Sequence, residues 1–298
     1  MSRIRRLALA AAAGLALFAA RPALASPEHA NFVLFEPAKT PELPADNTVV
    51  HPVTDPYFHE DSFVTTDARA WFLYHEFPKH SPIAGGNAKV YALQVRVALT
   101  NQLQLVAYKD GYTDMDSGLI GDSGMNDIAA GLKWTPIQDD KNQFYASVGA
   151  GYEIPLGDPG VLQNNGEVRV WGSVNKGFGP LHLGATVNAF FGTSNEEPLG
   201  NSNYLSYHLH ADYYLCKWVS PVVELNGYHT FAKRDVAVPF SGIDVTNLGG
   251  GDDVVTLGLG AEVRPTENIG LRAAYEIPLT SGEDLYGWRL TVSAVFSF

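Results

Sequence analysis

The 298-residue sequence contains a single cysteine, Cys216, and few basic residues, with 20 Lys and Arg against 32 Asp and Glu. One thiol excludes a disulfide scaffold and a metal site built from four cysteines. The net charge of -12 excludes a general nucleic-acid binder, because such proteins need basic patches for the phosphates. A hydrophobic content of 46% is too high for a disordered chain.

Long apolar runs are almost absent. The exception, Leu7 to Ala20, follows the basic residues of Met1 to Arg6 and is shorter than the ~20 residues that span a bilayer. Ala23-Leu24-Ala25 has the small-x-small pattern that signal peptidase cleaves. We therefore predict that residues 1–25 are a signal peptide and that the mature chain is exported. Later apolar runs are too interrupted to span as helices, so contact with a membrane would have to be made by strands.

From Asp67 to the end of the chain, apolar and polar residues alternate. In the clearest window, 204–215, the odd positions are mostly apolar and the even positions carry Ser, His and Asp. A period of two indicates half-buried strands. The pattern predicts twelve strands, at about 67–77, 88–99, 102–110, 126–134, 143–154, 166–176, 181–192, 203–215, 218–230, 253–264, 268–278 and 285–298. Their length matches the ~9–11 residues of a tilted strand that crosses a bilayer.

The links between these strands alternate between short and long. The long ones are 78–87, 111–125, 155–165, 193–202, 231–252 and 279–284. Outer-membrane barrels show this alternation, with short periplasmic turns and longer extracellular loops. The predicted fold is therefore an all-β, transmembrane antiparallel barrel of about twelve strands, residues 67–298, in the outer membrane of a bacterium. Its surroundings would be outer-membrane lipids and lipopolysaccharide.

A secreted β-sandwich or a soluble barrel would also show alternating strands. The charged residues on the polar face favour a wet lumen, because they could not fill a dry core. We predict that the lumen is lined by Arg69, Arg96, Glu153, Glu167, Arg169, His208, His210, Asp212, Glu224, Glu262, Arg264, Arg272, Glu276 and Arg289. In this hypothesis four arginines, at 96, 169, 272 and 289, face the glutamates at 153, 167, 224 and 276 across the lumen. Aromatic residues on the other face would form the lipid-facing girdles: Tyr91, Trp134, Tyr152, Trp218, Tyr275, Tyr286 and Trp288.

Two resemblances to known families follow from short motifs. The last strand, Leu290 to Phe298, resembles the C-terminal signature of bacterial outer-membrane proteins, which implies that the barrel-insertion machinery reads Phe298. The stretches 121–134, 152–156 and 250–258 resemble the outer-membrane transporters grouped as the MetA-pathway phenol-degradation family, which show a Gly-Asp strand start and an apolar-Gly-Leu-Lys-aromatic run. This second resemblance implies uptake of small, often aromatic, molecules.

Residues 26–66 show no periodicity and are rich in proline and acidic residues. We predict an N-terminal extension that either folds into the lumen as a plug or stays in the periplasm. The expected function is a channel for passive uptake of small hydrophobic or aromatic solutes. A closed structural or surface-interaction barrel remains the first alternative.

An outer-membrane lipase is the second alternative, because Ser206, His208, His210 and Asp212 share one face of a strand. That face would point into the lumen and away from lipid, so we predict that the chain is not an enzyme. Neither His208 with His210 nor the histidines and acids of 51–61 have a spacing diagnostic of a metal site. The fragment Asp114-x-Asp116-x-Gly118 lacks the distal glutamate of a calcium loop. We predict no cofactor and no resident metal, and leave open weak divalent-ion binding by the acidic loops.

Overall fold

A computed structural model of the chain describes residues 30–39, 48–81, 83–193, 203–216, 218–232, 253–280 and 287–298. The predicted signal peptide, Tyr286 and most of the predicted links 193–202, 231–252 and 279–284 lie outside these residues. Within the described ranges, no helix is long and apolar enough to cross a membrane.

The described ranges contain fourteen strands, which form one antiparallel sheet. In chain order they are β1 (Asp67–Phe77), β2 (Gly86–Ala98), β3 (Leu103–Lys109), β4 (Tyr112–Ser117), β5 (Gly121–Met125), β6 (Ile128–Asp139), β7 (Phe144–Ile154), β8 (Glu167–Phe178), β9 (Leu181–Gly192), β10 (Asn203–Tyr213), β11 (Val219–Ala232), β12 (Val254–Thr266), β13 (Ile269–Pro278) and β14 (Trp288–Ser297).

The sheet closes into a barrel because β1 pairs with both β2 and β14. Asp67 lies opposite Ser297 on one side and opposite Arg96 on the other. The strand β2 pairs with β3 over one part of its length and with β4 over the other. On their far side, β3 pairs with β6 and β4 pairs with β5. The fourteen strands of the described ranges therefore occupy twelve positions around the wall. This confirms the predicted twelve-stranded antiparallel barrel.

The prediction was wrong about 111–125, which it assigned to an external loop. These residues extend the β3/β6 hairpin as β4 and β5, and only 118–120 form the tip. The break between β3 and β4 lies at Gly111, whose φ is 118° and where a Cβ atom would lie 2.6 Å from the carbonyl oxygen of Tyr91. Glycine is therefore required at this kink.

Burial alternates along the strands and separates the two faces of the wall. In β10, Ser206, His208 and His210 are buried, whereas Tyr207 and Leu209 are exposed. Among the described residues, most outward side chains between the strand ends are apolar, which is the polarity of a wall that contacts lipid. Of the aromatic residues assigned to the girdles, these are about half-exposed: Tyr91, Trp134, Tyr152, Trp218 and Tyr275. Trp288 is partly buried, where it stacks between Tyr74 and Tyr275.

Candidate functional site in the barrel lumen

Residues 48–66, which we call the re-entrant segment, lie inside the barrel. Almost every residue from Val49 to Thr66 is buried. The segment contacts the short-turn end of the barrel, where 99–102, 140–143 and 179–180 lie, and reaches a tight turn at Asp55–Phe58 deeper in the lumen. At this turn the backbone N–H groups of Phe58 and His59 donate to the carbonyl oxygen of Asp55. The chain then returns to the short-turn end and continues into β1.

Residues 30–39 lie across the same short-turn end. The N–H of Asn31 donates to the carbonyl of Phe298 at 3.0 Å, and the N–H of Leu34 donates to the carbonyl of Ala98 at 2.9 Å. The exposed rings of this stretch include Phe35, which is 73% accessible. Both approaches to the re-entrant segment therefore lie at one end of the barrel.

The carboxylate of Glu60 holds the middle of the re-entrant segment. It accepts hydrogen bonds from Arg96 at 2.8 Å and from Lys133 at 2.9 Å. The next residue, Asp61, pairs with His51 at 2.6 Å. All of these groups are buried, where removing one partner of an ion pair is far more costly than at the surface.

A second anchor comes from Glu224 on β11. Its carboxylate accepts the backbone N–H of Val53 at 2.9 Å and that of Thr54 at 2.6 Å. On the wall, Nδ1 of His210 lies 2.7 Å from the same carboxylate. The part of the re-entrant segment that precedes the turn is thus bound by a charged group, since a carboxylate is a strong acceptor for backbone N–H groups.

The turn of the re-entrant segment lies among aromatic side chains. The ring of Tyr57 packs edge-on against Trp71 at 4.9 Å between centroids. The ring of Phe58 lies 4.6 Å from Phe190, which stacks on Tyr204 at 4.3 Å. Aromatic rings dominate this part of the lumen, whereas ion pairs dominate its middle.

The link 155–165 folds over this aromatic region. The carboxylate of Asp127 accepts four backbone N–H groups of the link, from Leu156, Gly157, Asn164 and Asn165, at 2.6 to 3.1 Å. A short 3-10 helix, Pro159–Val161, places Val161 and Leu162 in the cluster that includes Tyr57 and Phe58. The predicted external loop therefore covers the turn of the re-entrant segment from the long-loop end.

The structure buries thirteen of the fourteen residues predicted to line the lumen, and Arg264 is partly buried. Their pairing differs from the predicted one across the lumen. Arg289 lies opposite Glu276 on the neighbouring strand at 2.9 Å, and Arg272 pairs with Glu262 in the same way. Side chains that lie opposite each other on adjacent strands are closer than side chains on opposite sides of the lumen, which explains the difference. A role in lining an open passage stays a prediction for the whole set.

The remaining predicted residues also find partners nearby. Their contacts within 4 Å are Arg69 with Asp67, Arg96 with Glu60, Arg264 with Glu262, Glu153 with Lys109, Glu224 with His210, and Asp212 with His182 and His210. Tyr204 donates to Glu167 at 3.4 Å. Arg169 is different, because its terminal nitrogens donate to backbone carbonyls of the re-entrant segment.

Ser206 and His208 do form a hydrogen bond, of 2.8 Å, between Oγ and Nε2. The other ring nitrogen lies 2.8 Å from the amide oxygen of Asn226 and 3.3 Å from a carboxylate oxygen of Asp55. Both Ser206 and His208 have no exposed surface and point into the occupied lumen. This position is remote from lipid, so the geometry does not favour a lipase.

Sequence reasoning missed Lys109, Lys133 and Asp127 as lumen residues. The signal was available for Lys133, which alternates with the outward Leu132 and Trp134 in β6. The alternation was a weaker signal for Asp127, because this residue lies between β5 and β6, and for Lys109, because the wall kinks beside it.

Burial and charge give the re-entrant segment a defined response to pH. Burial, together with the nearby His208 and His210, lowers the pKa of His59 to about 3, although Glu224 and Asp61 raise it. Burial raises the pKa of Glu60, but Arg96 and Lys133 outweigh it and lower the pKa to about 2. Glu60 therefore stays ionised well below its usual pKa, whereas protonation of His59 disfavours the buried state.

We expect acidification to loosen the re-entrant segment. A histidine whose pKa falls from 6.5 to about 3 on burial stabilises the buried state fully above pH 6.5, and this stabilisation is lost as the pH falls towards 3. Hydrogen exchange of residues 48–66 should therefore become faster by as much as about tenfold for each unit by which the pH is lowered, after correction for intrinsic exchange rates.

The variant His59→Leu should reduce this pH slope by about one proton. The control His80→Gln, at an exposed position, should keep the full slope. An unchanged slope in the His59 variant would show that other groups control the response.

The fold is that of the bacterial outer-membrane β-barrels. The closed wall with its mostly apolar outer face agrees with the predicted location in the outer membrane. The NanC porin is 10% identical, with a TM-score of 0.52 over 78% of this chain and 98% of that chain. The translocator domain of the autotransporter NalP from Neisseria meningitidis is 12% identical, with a TM-score of 0.50 over 83% of this chain and 92% of that one. At these identities the likeness shows the fold alone. No protein-family model and no curated protein matches the sequence, so the resemblance to the phenol-degradation family stays a prediction.

Proposed function

We propose that this protein is an outer-membrane channel for small solutes that its own re-entrant segment closes. The observation that carries the proposal is a barrel lumen filled by a peptide that is bound through ion pairs and hydrogen bonds and whose two arms both lead to the short-turn end. Withdrawal of this peptide would not require any strand of the wall to separate. It would leave a passage lined by charged residues, as in other selective pores.

The aromatic region supports a preference for hydrophobic or aromatic solutes. Inward-facing rings of the wall, Trp71, Phe190 and Tyr204 among them, surround the turn at Tyr57 and Phe58. Contacts between aromatic rings contribute about 0.5–1.5 kcal/mol each. A solute with a ring would therefore gain from passing this region once the turn has left it.

Swelling of proteoliposomes tests this function. Arbutin, a phenolic glucoside, and methyl glucoside share the same sugar and differ in the ring. We expect the protein that lacks residues 26–60 to admit both solutes and to admit arbutin about two- to tenfold faster, which corresponds to one ring contact. The full-length protein, which the re-entrant segment closes, should admit both solutes much more slowly. Liposomes without protein provide the baseline. Equal rates for the two solutes would remove the aromatic preference.

A closed structural or surface-interaction barrel is the second candidate, and the occupied lumen favours it. In this case neither solute would enter the proteoliposomes under any condition that leaves the wall intact. The swelling experiment therefore separates the two candidates directly.

We also propose that residues 1–25 are removed on export, that 26–66 form the plug of a barrel comprising 67–298, and that Phe298 is read by the insertion machinery. In support of the last point, β14 lies at the closure of the barrel, where it pairs with both β1 and β13. Lipopolysaccharide and outer-membrane lipids would contact the exposed apolar face.

A further inference from the structure

Arg169 on β8 differs from the other buried arginines of the lumen. Arg69, Arg96, Arg272 and Arg289 each have a carboxylate within 3 Å. Among the residues that the structure describes, no carboxylate lies within 4 Å of the Arg169 guanidinium, although its residue is only 1% exposed. A buried cation without an anionic partner is unfavourable by several kcal/mol.

The two terminal nitrogens of Arg169 form a fork that points at the re-entrant segment. Nη1 donates to the carbonyl oxygen of Tyr57 at 3.0 Å, and Nη2 donates to the carbonyl oxygen of Phe58 at 2.7 Å. The side edge of the guanidinium, Nε and Nη2, is held by the amide oxygen of Asn188 at 2.9 and 2.7 Å. Two neighbouring oxygens at the end of a guanidinium are the arrangement that a carboxylate adopts with arginine.

Aromatic rings surround this fork. The guanidinium carbon of Arg169 lies 4.7 Å from the ring of Tyr108 and 4.5 Å from that of Trp171, so the cation is positioned over two π-faces. Directly beside it, the ring of Phe58 occupies a position against Phe190. The turn of the re-entrant segment thus offers Arg169 two carbonyl oxygens and the aromatic ring of Phe58, the residue that supplies one of them.

The nearest inward-facing acids of the same wall do not neutralise Arg169. Glu153 and Glu167 lie opposite each other on β7 and β8. Glu153 pairs with Lys109 at 2.7 Å, and Glu167 accepts the hydroxyl of Tyr204. The cationic fork is therefore available to an incoming anion when the backbone carbonyls leave it.

We propose that Arg169, with Phe190, Tyr108 and Trp171, forms a binding site for aromatic carboxylates, and that the turn at Tyr57 and Phe58 occupies this site as an internal substitute for the solute. The inference rests on the proposed channel function and names the solute class of that channel. The carboxylate of such a solute brings the negative charge that the two carbonyls lack, and the ring of the solute takes the place of the Phe58 side chain. The bound solute would therefore compete with the turn and favour the open state.

Equilibrium binding to the purified full-length protein in detergent tests the proposal, with phenylacetate as the probe. Three matched compounds change one property each: cyclohexylacetate lacks the aromatic ring, 2-phenylethanol lacks the charge, and phenethylamine reverses it. We expect phenylacetate to bind at least about tenfold more tightly than 2-phenylethanol or phenethylamine, because charge-assisted hydrogen bonds are the strong ones. Cyclohexylacetate should bind with intermediate affinity.

Variants locate the site. Arg169→Gln should weaken phenylacetate binding at least about tenfold, and Arg169→Lys, which keeps the charge without the fork, should lose less. Phe190→Leu should weaken phenylacetate binding but not cyclohexylacetate binding. The control Lys141→Gln removes an exposed cation in the short turn 140–143, and it should bind phenylacetate like the unmodified protein. Circular dichroism confirms that each variant has folded.

Unchanged affinity in Arg169→Gln, or equal binding of phenylacetate and phenethylamine, would overturn the proposal. If Arg169→Gln does not fold, Arg169→Lys and Phe190→Leu decide in the same way. Failure of the channel function gives a different result, because phenylacetate then binds as described while neither glucoside enters proteoliposomes. Entry of both glucosides without selective phenylacetate binding would refute the inference and keep the channel.

Discussion

Deletion of residues 26–60 should convert the protein from a closed barrel into a conducting channel. The re-entrant segment fills the lumen, and its removal exposes Arg96, Lys133 and Arg169 to water. A twelve-stranded barrel lies between eight-stranded barrels, which side chains fill, and sixteen-stranded porins, which are open. We expect the time-averaged current across a planar bilayer to rise at least about tenfold, with discrete single-channel steps.

A synthetic peptide of residues 48–60 provides the control for this deletion. Added to the side of the bilayer that faces the short-turn end, it should reduce the current of the shortened protein. Added to the opposite side, it should act weakly, because the link 155–165 covers the other end of the lumen. Equal current in the full-length and shortened proteins would mean that residues 48–66 do not close the pore.

Replacement of Glu60 by Gln should release the re-entrant segment while the wall stays folded. The glutamine keeps the size of the side chain but removes the charge that Arg96 and Lys133 share at 2.8 and 2.9 Å. Removal of one partner from a buried ion pair costs about 3–5 kcal/mol. We expect hydrogen exchange in residues 48–66 to accelerate at least about a hundredfold, with little change in the strands.

Glu36→Gln is the matched control, because Glu36 precedes the re-entrant segment and contacts Asn101 at an exposed site. It should leave the exchange of residues 48–66 unchanged. Similar exchange in the Glu60 and Glu36 variants would show that backbone contacts and aromatic packing, and not the charge of Glu60, hold the segment.

The wall of the barrel was predictable because one local property defines it. Alternation in windows such as 204–215 gives the strand, its two faces and the inward position of His208 without knowledge of any partner strand. The stretch 111–125 lacked this signal, since its aspartates and glycines have low strand propensity. Its pairing comes from β2 and from the hairpin geometry, which become apparent only when the chain is folded.

The contents of the lumen were less accessible to sequence reasoning. The partners of Glu60 lie 36 and 73 residues further along the chain, and the carbonyls of Tyr57 and Phe58 meet an arginine more than 110 residues away. Local periodicity carries no information about such contacts. The sequence indicated that the charges point inwards, but it did not indicate that Arg169 would face backbone oxygens.

The re-entrant segment runs directly into β1, the strand that pairs with both β2 and β14 where the barrel closes. The segment is therefore covalently tethered to the wall whose charged groups bind it. Tethering keeps it at a high effective concentration beside Arg96, Lys133 and Arg169 even after it has left the lumen. The resting state is then restored without a second protein, and the time spent open depends on how quickly the tethered peptide rebinds.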